Sequence, residues 1–246
     1  MNNDIINNIN FIQNRINKAC ELHGRNPKEV KLLLATKTVS ADNIKIALQH
    51  GYPLIAENKI QELKEKYTDL QSTPHINHFI GNLQSNKIKE LLRYDVVCLQ
   101  SLDRLELAEK LHQRLLSENK TIEALIQVNT SAEESKFGVD PKLTIDLVQK
   151  IAKLETIKIK GLMTIGLFSS ETEKVRACFR LLKNLQQQII ALDIPNVEMN
   201  ELSMGMSGDL EVAIEEGATI VRVGTAIFGQ RIYPDSYYWD ENGARS

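Results

Sequence analysis

The chain has 246 residues, 42% hydrophobic and 25% charged, with 30 Lys and Arg against 32 Asp and Glu for a formal net charge of −2. That balance sets up no field to recruit nucleic acid or an anionic membrane, which leaves a small molecule as the default ligand. Cys20, Cys98 and Cys178 are widely spaced with no C-x-x-C pair, no secretory leader is recognisable, and no apolar run nears the roughly 18 residues of a membrane span, so a soluble protein of the reducing cytoplasm is expected.

Ile5, Ile9, Ile12, Ile16 and Cys20 recur at steps of four, three, four and four, one face of an amphipathic helix ending near Gly24; residues 1–24 read as a covering helix for the rest of the fold. Short apolar runs then alternate with helical patterns. Strands are expected near residues 30–37, 53–57, 76–80, 95–99, 122–129, 158–164, 197–203 and 219–224. Leu102 to Lys120 and Pro141 to Glu155 carry helical periodicity between them. Ser170-Glu171-Thr172-Glu173 reads as a capping box ahead of an apolar stripe of Val175, Cys178, Leu182, Leu185, Ile189 and Leu192.

Strict alternation of strand and helix implies parallel strands joined by right-handed crossovers. About eight such units, in a chain close to the roughly 250 residues typical of the fold, select a single α/β domain: a (β/α)8 TIM barrel with an extra N-terminal helix. An open doubly wound sheet is the alternative if a short run is misread. Residues 230–246, rich in Tyr and with Trp239, are expected to form a tail on the barrel.

In such a barrel the C-terminal strand ends carry function, and a phosphate commonly sits in the loops after the last two strands. Here those loops hold Ser203, Met204, Gly205, Ser207 and Gly208 after strand seven, and Gly224 and Thr225 after strand eight. A phosphate needs backbone N–H donors and short hydroxyls, with glycine letting the main chain approach. Ser207 reads as the N-cap of a helix from Asp209 to Glu216. The competing reading is that these glycines only make turns.

Period-two geometry puts Ile220, Arg222 and Gly224 on the inner side of strand eight, and Leu33, Ala35 and Lys37 on the inner side of strand one. An inward arginine meets either a ligand anion or a structural carboxylate. A lysine amine in a partly dry site can attack an aldehyde, although a strand-end lysine can also simply reach solvent. Amine and anion site together suggest a phosphorylated aldehyde. Lys136 follows strand five and either faces the mouth or is solvated. The histidines lack zinc-like spacing, so no metal site is expected, and no G-x-G-x-x-G or P-loop pattern occurs.

Ala35-Thr36-Lys37, Glu57-Asn58 with Gln61-Glu62, His78-Phe79-Ile80-Gly81 with Leu83-Gln84-Ser85-Asn86-Lys87, and the loops after strands seven and eight resemble the YggS/PROSC family of pyridoxal phosphate homeostasis proteins, in order from about residue 30 to residue 229. Ala56 stands where that family often has glycine. The resemblance implies a fold-type-III barrel similar to the N-terminal domain of alanine racemase, without its C-terminal β domain, holding pyridoxal 5'-phosphate (PLP) as a Schiff base on Lys37. It implies that Ser207, Gly224 and Thr225 cradle the phosphate and that Arg222 lies beside the pyridine nitrogen. Asn58 would lie near the ring, with Ser203 and Met204 beside the cofactor.

Arginine beside the ring nitrogen disfavours its protonation and weakens the ring as an electron sink. The implied role is a carrier or buffer in vitamin B6 homeostasis that serves PLP-dependent apo-enzymes, as a monomer with no robust catalysis. A PLP-dependent amino-acid racemase, a Schiff-base aldolase and a pure interaction protein are the alternatives.

Overall fold

Alternation along each strand sorts the side chains into two cores. In β1 (Lys31–Ala35), Leu33 faces the barrel axis while Leu32 and Leu34 face the helices. The same rule places Ile220 of β8 (Ile220–Val223) inside and Val221 and Val223 outside. These strands are neighbours: in the computed structural model, which describes residues 2–133 and 136–229, β1 pairs parallel with β8 and Leu33 lies opposite Arg222.

That pairing closes a barrel of eight strands in sequence order. The others are β2 (Leu54–Glu57), β3 (Ile76–Phe79), β4 (Val96–Leu102), β5 (Ile122–Gln127), β6 (Ile157–Met163) and β7 (Val197–Ser203). Leu33, Ala56, Cys98, Leu125, Met163 and Ile220 fill the interior, one from each of six strands. The barrel is therefore a packed core with no open pore. The expectation of a single eight-stranded barrel holds.

Around it run α2 (Ala41–Gln49), α3 (Ile60–Leu70), α4 (Ile88–Leu91), α5 (Leu105–Glu118), α6 (Thr144–Ile151), α7 (Thr172–Ala191), α8 (Leu210–Glu215) and α9 (Thr225–Phe228). With α9 so short, the helical ring has a gap beside β8. The first helix, α1 (Asn2–Leu22), fills it, burying Ile5, Ile9, Ile12, Ile16 and Cys20 against α2, α8 and α9. Arg15 grips Glu211 with two hydrogen bonds, 2.6 and 2.8 Å, and donates to the Ser207 carbonyl at 2.9 Å. Asn8 donates to the Ile227 carbonyl at 3.0 Å. So α1 buttresses the wall of the barrel and ties down the loops after β7 and β8.

Some boundaries differ from expectation. β4 runs on to Leu102, so the helix expected from Leu102 begins at Leu105. Ser170 forms no capping box: α7 begins at Thr172, and Ser169 Oγ accepts the Glu171 N–H at 3.0 Å instead. Leu192 is 48% exposed because the helix ends at Ala191, before it could complete the stripe. The tail expected over residues 230–246 lies outside the described residues.

Candidate functional site

β1 stops at Ala35, two residues earlier than expected, and Lys37 sits in the turn beyond it. Thr36 extends the ladder by one bond, its N–H donating to the Ala56 carbonyl at 2.9 Å. Thr38 then takes a left-handed φ of +64° and swings the chain to Ser40, whose hydroxyl caps α2 by accepting the Asn43 N–H.

A buried charged cluster behind the sheet holds this turn. Glu57 ends β2 facing the helices, and its Oε1 accepts from Thr36 Oγ1 at 2.6 Å and from Lys66 Nζ at 2.8 Å. Lys66 also donates to the Thr36 carbonyl at 2.8 Å and pairs with Glu62 at 2.5 Å. Glu62 in turn accepts the Thr38 N–H at 3.1 Å. Both neighbours of Lys37 are thereby fixed from one network. Burial pushes the Glu57 carboxyl up to about 7, against the downward pull of Lys66 and Thr36. Sequence reasoning singled out Glu57 and Glu62 but missed Lys66, whose only sequence signal is its position four residues after Glu62.

Opposite this turn, Gly224 and Thr225 follow β8. A cavity of about 230 Å³ lies between, lined by Lys37, Ser40, Asn43, Gly224 and Thr225 among others. Gly224 is there for closeness: a Cβ would sit 2.7 Å from the Ala35 carbonyl oxygen. The C-terminal edges of β1 and β8 therefore meet.

Arg222 points inward, one inner position below Gly224, and is 5% exposed. Its Nη1 donates to Ser203 Oγ at 2.9 Å and its Nη2 to the Thr164 carbonyl at 2.7 Å. Both acceptors are neutral, and among the described residues it forms no ion pair, so the structural-carboxylate reading fails. Burial pulls its pKa down to about 10, with Asp209 opposing, and it stays charged at neutral pH.

The remaining expected residues divide. Ser203 lies inside the barrel and touches Arg222. Asn58 follows β2 on the inner parity, half-buried, and Gly81 packs so closely on its carbonyl that a Cβ there would overlap it at 1.8 Å. Met204 is a correction: its side chain is buried in the outer core between sheet and helices, because the alternation that turns Ser203 inward turns Met204 outward. Ser207 is another. Helix α8 starts at Leu210 with Asp209 as N-cap, and the Asp209 carboxylate accepts the Met206 N–H at 2.5 Å. Ser207 stays in the loop and does not line the cavity. Lys136 bonds to Glu133 at 3.0 Å and to the Gly166 carbonyl at 2.9 Å, bridging the loops after β5 and β6.

A profile of the family described as alanine racemase, N-terminal domain, matches residues 7–232. The chain belongs to this family. A relative from Aquifex aeolicus named pyridoxal phosphate homeostasis protein is 44% identical over 219 residues, covering 89% of this chain and 95% of that protein. PipY of Synechococcus elongatus, solved with PLP bound, superposes at a TM-score of 0.74 and 30% identity, covering 87% of this chain and all of that one. An alanine racemase from Clostridium difficile superposes at 0.71 with 14% identity, covering 95% of this chain but 58% of that enzyme. It shares the barrel alone.

Proposed function

We propose that this chain binds PLP at the C-terminal mouth of its barrel, covalently through Lys37, and acts as a carrier or buffer of PLP in the cell. The observation that carries the reading is the shared cavity, with Lys37 on one wall and Gly224 and Thr225 on the other. The family fits, since relatives of nearly the same length are named for PLP homeostasis and one was solved with PLP.

The residues match the three polar parts of the cofactor. PLP supplies a carbonyl for capture by an amine and a ring able to draw electrons. Lys37 provides the amine, held in place at Thr36 and Thr38 by the Glu57, Lys66 and Glu62 cluster. Thr225 offers a hydroxyl to the phosphate and Gly224 allows close main-chain approach, with Ser207 contributing from the adjoining loop. Asn58 and Ser203 flank the ring. Arg222 carries only donors, so beside the ring nitrogen it favours the unprotonated form, which weakens the ring as an electron sink. A site of this kind retains the cofactor better than it uses it.

Hand-over to PLP-dependent apo-enzymes, a monomeric state and a cytoplasmic setting complete the proposal. All three cysteines are free and buried, in keeping with a reducing compartment. Among the described residues, no helix is long and apolar enough to cross a membrane.

The test is the visible spectrum of the protein after incubation with PLP, with borohydride reduction and peptide mapping. Wild type should become coloured and carry the reduced adduct on Lys37, and Lys37→Ala should carry none. An adduct on another lysine, or an uncoloured wild type, overturns the assignment. Rapid deuterium exchange at Cα of alanine or serine would overturn the carrier role in favour of a racemase.

A further inference from the structure

Four buried side chains inside the barrel form one hydrogen-bonded chain that starts at Arg222. Arg222 Nη1 donates to Ser203 Oγ at 2.9 Å; Ser203 Oγ donates to Gln100 Oε1 at 2.6 Å; the Gln100 amide nitrogen meets His78 Nδ1 at 2.8 Å. The residues come from β8, β7, β4 and β3, and none is more than 8% exposed. At its far end His78 lines a second cavity, of about 550 Å³, which also contacts Lys31, Cys98 and Glu201. The chain thus links the mouth of the barrel to the opposite end.

We infer that Gln100 and His78 are positioning residues for Arg222, fixing through Ser203 where the guanidinium points at the cofactor. The inference rests on the reading that Arg222 meets the PLP ring.

With the Gln100 amide in this orientation, the bonding leaves one arrangement of protons. A guanidinium can only donate, so the Ser203 oxygen accepts from it and sends its own hydrogen onward. Gln100 Oε1 receives that hydrogen, which turns the amide nitrogen toward His78 as a donor. His78 Nδ1 must then accept, placing its proton on Nε2. Every bond runs in the same sense, away from Arg222. Protonating Nδ1 would require Gln100 to flip, presenting a donor to Ser203 and withdrawing the acceptor that orients the hydroxyl. Burial first, and Lys31 second, pull the His78 pKa down to about 4, which keeps the ring neutral near pH 7.

The test compares Gln100→Leu, His78→Leu and His78→Asn, the last retaining an acceptor close to the position of Nδ1. Gln100→Leu should weaken PLP about tenfold, the scale of one buried hydrogen bond, and shift its visible absorption band. His78→Leu should do the same and His78→Asn should restore both. In an Arg222→Leu background, Gln100→Leu should have no further effect on PLP, although the two side chains do not touch. Wild-type affinity and spectrum in Gln100→Leu, or additive effects with Arg222→Leu, overturn the inference. If Gln100→Leu does not fold, nitrogen NMR of His78 in the wild-type protein decides: protonation at Nε2 supports the chain and protonation at Nδ1 refutes it. A wild type that binds no PLP would instead remove the underlying reading, which keeps the two failures distinct.

Discussion

Replacing Gly224 by alanine tests whether the β1 and β8 tips shape the cavity. The new Cβ would sit 2.7 Å from the Ala35 carbonyl oxygen and 3.3 Å from the Ala35 Cβ. Gly224 has φ −125°, outside the left-handed region, so the cost is worked from the contact. Carbon contacts are most favourable near about 3.5 Å, so the tip of β8 must retreat by several tenths of an ångström. Overpacking of this kind costs about 1–3 kcal/mol, a fall of about 2–12 °C in Tm for a domain of this size. Gly208→Ala is the control, because its Cβ meets nothing within 4 Å and its φ lies outside the left-handed region. Circular-dichroism melts of both variants, followed by PLP titration, should show Gly224→Ala less stable and binding PLP at least about tenfold more weakly, with Gly208→Ala within about 0.5 kcal/mol of wild type. If the two variants melt together and bind PLP equally, the strand tips are not the walls of the site.

Other contacts lead to three further outcomes. Gly161→Ala puts a Cβ 1.9 Å from the Glu201 carbonyl, a harder overlap than at Gly224, and its melting temperature should be the lowest of the three glycine variants. Lys66→Met strands the buried Glu57 carboxylate and should cost about 3–5 kcal/mol in urea unfolding, much of it regained in Glu57→Gln/Lys66→Met; a loss below about 1 kcal/mol would show that the cluster does not hold the turn. His78 has a folded pKa of about 4, below its ordinary value, so the unfolded chain binds the extra proton between about 6.5 and 4. Its contribution is therefore present above about pH 6.5 and is lost as pH falls through 4, amounting to about 3 kcal/mol. Glu57, raised to about 7, has the opposite sign, its contribution fading as pH rises from 4.5 through 7. The difference between wild type and His78→Asn in urea midpoints at pH 7 and pH 4.5 isolates the histidine, and a pH-independent difference would contradict its burial as a neutral ring.

The barrel is legible in the sequence because its signals are local. Period two tells Leu33 and Arg222 from Leu34 and Val223 without any knowledge of partners, and the opening stripe from Ile5 to Cys20 fixes the buried face of α1. Ends are harder to read. Apolar character runs through Ala35 and Thr36, but the ladder stops where Thr38 turns left-handed, and composition does not record that dihedral. Ser207 and Asp209 are both good N-cap residues two positions apart. Asp209 takes the position with no side-chain bond to the helix; its carboxylate instead closes the loop onto Met206, a contact that only the folded path reveals. Met204 adjoins Ser203 in sequence and so reads as part of the site, although the same alternation separates the two. The Lys66 cluster and the chain from Arg222 to His78 depend on which residues of separate strands and helices come level, a consequence of the barrel's stagger that single-strand patterns do not encode.

Arg222 shows what that stagger achieves. An aspartate or glutamate level with it would have neutralised the guanidinium and made the empty barrel more stable, at the expense of occupying the donors a ligand must reach. The strands instead bring a hydroxyl and a carbonyl, which orient the charge without cancelling it. The positive charge therefore remains only partly compensated until a ligand supplies an acceptor, so binding and folding stability are linked. PLP should raise the melting temperature by an amount that follows RT ln(1 + [L]/Kd), and Arg222→Leu should lose more of that increment than of its ligand-free stability. For the proposed carrier role the coupling would have a direct use: each departure of the ligand restores an incompletely compensated buried charge, which favours recapture over the accumulation of empty barrels.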